Sequence, residues 1–192
     1  MGSYYYLAAQ LPYLVYGQGV PMSSAAFKAL ARDRMDSADA AVLDYCTLDP
    51  APPMAGETGA AYAEPASPIS SEFINRWKEW ERTLRLNLAR GRVQKLKREG
   101  GSMTDAPEHP ADAAGAAKTA LIMDSPLEAE LFLDKARWDA IDYFQGINAF
   151  TENAMYAYLL KLQLMERRTA FKTEEGFTEY KALYAAILGE PK

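Results

Sequence analysis

Large apolar residues recur at helical spacing in the middle of the chain. Within residues 70–98 they follow one another at intervals of four, three, four and four: Phe73, Trp77, Trp80, Leu84 and Leu88. These intervals place the five side chains on one face of an α-helix. Ser70 or Ser71 can cap its first turn, and Gly100 and Gly101 can end it. The pattern therefore predicts a long helix with one buried face.

Two shorter helical segments precede this one. Residues 23–34 begin at a serine that can accept a hydrogen bond from the first turn of a helix. Residues 36–48 follow almost at once, with Asp36 or Ser37 as the capping residue, and Pro50 cannot continue a helix. We expect the two segments to form a helical hairpin.

The last third of the chain predicts three more helices. Ser125, Pro126 and Glu128 stand at the cap, first and third positions of a capping box, which marks a helix start. Gly146 is placed to end that helix. Two further segments carry helical periodicity: 150–165 and 173–188.

Two stretches of the chain lack any sustained period and are predicted to be long loops. Residues 49–69 and 99–117 are rich in Pro, Gly, Ala and Asp, a composition that buries too little side chain to offset the entropy of ordering. They separate three ordered blocks: 4–48, 70–98 and 118–189. Convincing strand-like alternation is missing throughout, so we expect a single all-α domain, a bundle of about six helices.

The tyrosine-rich start, "SYYYLAAQLPYL", is the most unusual stretch in composition. It carries no positive charge before its apolar residues, and Gln10 and Pro12 interrupt them, so we do not expect a secretory signal. The segment could be a ligand-stacking platform, but aromatic residues more often belong to the core. We expect it to anchor the first helices against the long helix that carries Trp77 and Trp80.

Charge is distributed very unevenly along the chain. The net charge is −5, yet residues 70–98 hold nine Lys or Arg against three Glu. This basic helix can pack against the protein's own acidic remainder, for example residues 126–142, or it can bind a partner. Its predicted outward-facing, partner-binding side chains are Arg82, Arg85, Arg90, Arg92, Lys95 and Arg98. Nucleic acid is a lesser alternative, because the overall charge is acidic and the two tryptophans lie in the apolar stripe.

Candidate catalytic residues are few. His109, the single histidine, lies between prolines in the second predicted loop, and Cys46 is the single cysteine, which we expect to be a buried, inert thiol in a reducing compartment. Glu130 and Asp134 are four residues apart on a predicted helix and could bind a divalent metal, although a solvated charged face explains them equally well. We therefore expect no enzyme, no metal site, no cofactor and no small-molecule substrate. No stretch is apolar enough for a membrane span.

Four stretches of the sequence resemble a small, uncharacterised bacterial family. They are "YYYLAAQLPYL", "FINRWKEWERTLRLNLARGRVQKL", "SPLEAELFLDKARWDAID" and "NAMYAYLLKLQLMERRTAF". Members of that family are encoded beside subunits of V/A-type ATPases, in operons without an obvious gene for the C/d component of the central stalk. "LRLNLARGR" and "YLLKLQLMERR" also look like the Arg-bearing helices of that component, which joins the membrane c-ring to the rotating shaft. The chain would account for about half of such a protein.

The resemblance implies a non-catalytic subunit or accessory factor of a V/A-type rotary ATPase, similar to the coupler between the c-ring and the central shaft. Its partners would be the shaft, the c-ring or both, and these would hold it at the cytoplasmic face of the inner membrane. The residues leave two other classes open. One is a free-standing helical adaptor or assembly chaperone, and the other is an RNA-binding module that uses the basic helix 70–98.

Overall fold

The computed structural model of this chain describes residues 3–50, 70–95 and 112–169. These residues form seven α-helices and contain no strand, which confirms the all-α prediction. The helices are α1 (Tyr5–Gln10), α2 (Ser24–Arg34), α3 (Ser37–Val42), α4 (Glu72–Lys95), α5 (Ala113–Ile122), α6 (Pro126–Gln145) and α7 (Glu152–Thr169).

The helix boundaries follow the capping residues in two of the predicted helices. The side chains of Ser23 and Ser125 each accept a hydrogen bond from a backbone N–H of the first turn, as a cap does. Pro126 occupies the start of α6, where its missing N–H costs nothing. Gly146 ends α6 with a φ of +74°, a conformation that suits glycine. These local predictions are confirmed.

The predicted helix over residues 36–48 is shorter than expected. Helix α3 spans Ser37–Val42, and the chain continues through turns. The reason is tertiary: three successive backbone carbonyls beyond α3 accept hydrogen bonds from side chains of other helices. The donors are Gln163 Nε2 to the Cys46 oxygen at 2.8 Å, Trp77 Nε1 to the Thr47 oxygen at 3.0 Å, and Arg85 Nη2 to the Leu48 oxygen at 3.1 Å.

Helix α5 overlaps the second predicted loop, and the prediction of a loop is wrong for residues 113–117. The Asp112 carboxylate caps the helix by accepting a hydrogen bond from Gly115 N–H at 2.9 Å. Alanines dominate the segment, and alanine is the best helix former. Their small side chains let α5 pack closely along α4, where Leu121 lies against Gly91.

Several sequence predictions fall on residues outside the described ranges. These are the first predicted loop beyond Pro50, the end of the basic helix after Lys95, the second loop up to residue 111 and the predicted helix over 173–188.

Helix α4 lies at the centre of the core. It packs most extensively along α5 and also against α6, while α7 packs against α6 and α2. All five residues of its predicted apolar stripe are buried, and the rings of Trp77 and Trp80 stack with centroids 5.7 Å apart. The stripe predicted from spacing is therefore the face that α4 presents to the core.

The tyrosine-rich start is anchored differently from the prediction. The buried Tyr4 donates its hydroxyl to the Asp39 carboxylate of α3, and its N–H bonds the Phe150 oxygen at 2.8 Å. Tyr16 donates to the Leu131 oxygen of α6 at 2.8 Å. The hydrogen bonds of these tyrosines thus run to α3, to α6 and to the α6–α7 connection, rather than to the tryptophans of α4.

The stripe generates a stability prediction. Trp77→Ala should lower the free energy of unfolding by about 3–5 kcal/mol, because it removes a fully buried aromatic ring and its indole hydrogen bond to the Thr47 carbonyl. The exposed Tyr6 provides the control, since Tyr6→Ala should change this free energy by less than about 0.5 kcal/mol. Urea unfolding followed by circular dichroism measures both. Equal losses for the two variants would contradict this assignment of the core.

Candidate partner-binding surfaces

The first predicted partner-binding residue of α4, Arg82, does not face outward. Its side chain is 8% exposed and is held against Glu79, with Nε and Nη2 each donating to a carboxylate oxygen, at 3.0 and 2.8 Å. The prediction that Arg82 lies on the exposed face is therefore wrong. The spacing of the apolar residues could not predict this burial. It does not show that a carboxylate one turn away, that of Glu79, holds the Arg82 guanidinium against the helix.

Arg85 combines a structural and a surface position. Its guanidinium donates from Nε to Glu81 at 2.8 Å and from Nη2 to the Leu48 backbone oxygen at 3.1 Å. About half of its side chain is nevertheless exposed. Replacing Arg85 would thus disturb buried contacts as well as the surface.

The remaining predicted residues lie toward the end of α4. Arg90 is half-buried and Arg92 is exposed. In the described ranges Arg92 has no ion-pair partner, which leaves its guanidinium available to another molecule. Lys95 is the last residue of α4, and Arg98 lies outside the described residues. We define the basic edge of α4 as Arg85, Arg90 and Arg92.

A buried ion pair joins α4 to α6. From the charges of the two segments we expected a base on α4 and an acid on α6, but the structure shows the reverse. The acid comes from the basic helix: Glu81 of α4 is fully buried and accepts two hydrogen bonds from Arg137 of α6, at 3.0 and 3.2 Å. Desolvation opposes the charge of Arg137, but the carboxylates of Glu81 and Asp134 together outweigh it and raise the pKa of this guanidinium. The ion pair between α4 and α6 therefore uses an acidic side chain of α4, not its basic side chains.

The ion pair extends into a network that reaches α7. Arg137 Nη1 also donates to Asp134 Oδ1 at 2.9 Å, and Arg167 of α7 lies 3.7 Å from the same oxygen. Arg167 in turn donates to Glu130 at 2.9 Å. Burial raises the pKa of Asp134, while Arg167 and Arg137 work against that shift. Glu130 and Asp134, the candidate metal ligands, are therefore bridged by an arginine.

Among the described residues, few other groups are suited to chemistry. Burial raises the pKa of the Cys46 thiol to about 12, so it stays protonated, and its Sγ donates to the Val42 oxygen. This confirms the expectation of a buried Cys46. His109 lies outside the described residues. Within residues 3–50, 70–95 and 112–169, no three His, Cys, Asp or Glu side chains come close enough together to hold a metal ion.

A second surface lies at the tyrosine-rich start, where Tyr5, Tyr6 and Tyr13 are exposed, so the expectation that the aromatic residues of this segment belong to the core is wrong for these three. A cavity of about 290 Å³ opens between the chain around Tyr13, the α6–α7 connection and the first half of α7. Leu14 and Met155 are buried lining residues, whereas Tyr13 and Phe150 line it from the exposed side. The ring of Phe150 stacks on Tyr5 at 4.1 Å between centroids. We define the aromatic surface as Tyr5, Tyr13 and Phe150.

Two polar side chains that line this cavity, those of Tyr158 and Lys161, are already engaged. The Tyr158 hydroxyl donates to the Pro12 oxygen at 2.8 Å, and burial raises its pKa to about 12. Lys161 pairs with the Asp142 carboxylate and lies 5.1 Å from the centre of the Trp138 ring. The cavity therefore presents mainly apolar and aromatic groups together with the Gln145 side chain, and its lining ammonium is already neutralised.

Comparisons of the chain with protein-family models, with curated proteins and with solved structures found no match. In the part of the chain that the structure describes, the helices are too short or too polar to cross a bilayer.

The sequence did contain a signal for the buried network, although the pattern of apolar residues alone does not show it. Glu81 lies four residues after Trp77, which places a carboxylate on the apolar stripe itself. Arg137 lies midway between Leu133 and Ile141 at the same spacing. An acid on one apolar face and a base on another indicate a buried pair, because either group alone would be costly to bury.

The buried network predicts that removing one member of the Glu81–Arg137 pair lowers the free energy of unfolding strongly, and that the losses from removing each member do not add. Arg137→Met should lower the free energy of unfolding by about 3–5 kcal/mol, because it leaves the buried Glu81 carboxylate short of its main partner. Adding Glu81→Met should cost less than the sum of the two single changes. The control is the exposed pair Arg76–Glu72, where Arg76→Met should cost less than about 1 kcal/mol. Strictly additive effects in the double-mutant cycle would rule out the pair.

The raised pKa of Asp134 predicts a pH dependence. A group whose pKa is higher in the folded state stabilises that state most when protonated, and this contribution is lost as pH rises through the folded pKa. The unfolding free energy of the wild type minus that of Asp134→Asn should therefore fall as the pH rises above about 4, the ordinary pKa of an aspartate. Urea titrations across this range measure the difference. A difference that stays constant or grows with pH would contradict the burial of this carboxylate.

Proposed function

We propose that the protein is a non-catalytic subunit or accessory factor of a V/A-type rotary ATPase, and that it contacts the assembly through the basic edge of α4. The observation that carries the proposal is the exposed guanidinium of Arg92, which has no ion-pair partner among the described residues, on a helix whose opposite face is fixed in the core. The link to the ATPase rests on the sequence resemblance, whose four stretches overlap α1, α4, α6 and α7.

Rigid attachment of α4 supports a docking role. Helix α4 is held on one side by its buried tryptophans and by the Glu81–Arg137 pair, so its exposed edge has a defined orientation. Charged groups held in place in this way guide the approach and the orientation of a partner more than they add raw affinity. Such an edge suits a partner whose contact surface is acidic.

A protein partner fits this surface better than single-stranded RNA. Proteins that bind single strands combine basic grooves with aromatic rings on which the bases stack. Trp77 and Trp80, the aromatic residues of α4 closest to the basic edge, are fully buried and stack on each other. Arg92 and its neighbours therefore offer charge without a stacking platform from their own helix.

Charge reversal at Arg92 tests the proposal. Affinity purification of the tagged full chain from the organism that encodes it should recover ATPase subunits, identified by mass spectrometry. Arg92→Glu should weaken that recovery roughly tenfold, because it places a carboxylate against an acidic partner, whereas Arg92→Lys should retain most of it. Arg85 is unsuitable for reversal, since it also bonds Glu81 and the Leu48 carbonyl.

The control is Arg34→Glu, which reverses an exposed arginine at the end of α2. This variant should recover the ATPase subunits as the wild type does, and circular dichroism should show that all variants keep their helicity. Wild-type protein that recovers no ATPase subunit would contradict the proposed assembly. Equal loss for Arg92→Glu and Arg34→Glu would contradict the assigned surface.

A further inference from the structure

Lys78 of α4 differs from the other lysines whose side chains the structure describes. Three of those, Lys28, Lys135 and Lys161, each form an ion pair with an aspartate. Lys118 of α5 is exposed. The Lys78 side chain is instead half-buried, and no carboxylate in the described ranges forms an ion pair with its ammonium. Removing an ammonium from water without a counter-ion favours the neutral amine.

The Lys78 side chain faces the segment that follows α3. Its Nζ lies 3.5 Å from Thr47 Oγ1, which is long for a hydrogen bond. The Thr47 backbone is fixed against α4, because its oxygen accepts a hydrogen bond from Trp77 Nε1 at 3.0 Å. The Asp49 carboxylate and the buried Cys46 thiol act on Lys78 from the same segment. The fold therefore holds this amine in defined surroundings.

The charges around Lys78 favour the free amine overall. Burial lowers the pKa of Lys78, and the attraction of Asp49 and then of Cys46 works against that shift without cancelling it. On α4 itself, Arg82 lies one turn further along and is paired with Glu79. More of Lys78 is thus unprotonated at neutral pH than of a lysine in water, and the unprotonated amine is the form that attacks a carbonyl carbon.

We propose that Lys78 is an acylation site, which takes its acyl group from a small anionic donor of the acyl phosphate class. The Lys78 nitrogen attacks the carbonyl carbon, a C–N bond forms and the C–O bond to the phosphate breaks. Phosphate leaves with the electron pair, and a proton of the nitrogen passes to solvent. Such a donor suits the site because it is small enough to reach a half-buried amine, and because its negative charge is attracted to the basic helix α4.

Acylation of Lys78 changes the charge of the side of α4 that carries the basic edge. Lys78 lies seven residues before Arg85, and Arg85 lies seven before Arg92, so the three share one side of the helix. The amide product is neutral, so this side loses one positive charge. The reaction needs no ATPase subunit, and its test is therefore independent of the proposed function.

Acetylation of the folded full chain by acetyl phosphate tests the assignment of Lys78. At about pH 7.5 and low conversion, peptide mass spectrometry should find Lys78 acetylated at least about threefold faster than the exposed Lys118. In urea, where Lys78 is no longer desolvated, the two rates should become similar. The Lys78 rate should also level off at a lower pH in the folded chain than in urea, because burial lowers its pKa.

Asp49→Asn provides a second, independent variant. It removes an exposed carboxylate that favours the ammonium form, so it should raise the Lys78 rate at the same pH. The matched control is Asp33→Asn, which removes an exposed aspartate of α2 and should leave that rate unchanged. Circular dichroism should show that both variants keep their helicity, since neither removes a buried group.

Three results would overturn the proposal. One is a Lys78 rate at or below that of Lys118 in the folded wild type. The second is a preference for Lys78 that persists in urea, because the fold would then not be its cause. The third is an equal Lys78 rate in Asp49→Asn and Asp33→Asn, because the amine would then not lie in the surroundings assigned to it.

Discussion

The arrangement of the helices depends on one buried ion pair, between Glu81 of α4 and Arg137 of α6. Both side chains are almost inaccessible to solvent, so each stays charged in the core only because it is paired. Burying two charges adds little net stability, but it restricts how the helices can pack, because any other register would leave a charge unpaired. The pair thereby sets the rotation of α4 about its axis, and with it the direction in which Arg92 points.

The same constraint links the core to the surface. Arg85 donates to Glu81 Oε1, the oxygen that Arg137 Nη2 also reaches, and to the Leu48 backbone oxygen after α3, so the network runs from α6 through α4 to the first helical hairpin. On the other side, Asp134 and Arg167 extend it to α7. The network thus links α4, which carries the basic edge, to α7, which lies beside the aromatic surface.

Local features of the sequence predicted most of the fold, and the features that depend on distant contacts were missed. Serine caps and the apolar stripe of α4 are encoded by residues a few positions apart, so α2, α4 and α6 were placed well. Helix α3 ends early because side chains from α4 and α7 bond its following carbonyls. Arg82 was misplaced for a similar reason, since charge alone does not reveal burial. The aromatic surface could not be predicted, because Phe150 and Tyr5 meet only in the folded chain.

The most direct test of the central pair is a nuclear magnetic resonance measurement of the Arg137 side chain in the full chain. A buried guanidinium that donates two hydrogen bonds to a carboxylate is shielded from water, so its Nε–H should exchange slowly and give a resolved signal. That signal should broaden or shift in Glu81→Gln. Rapid solvent exchange of the Arg137 Nε–H in the wild type, at a rate like that of the exposed Arg76, would contradict the account.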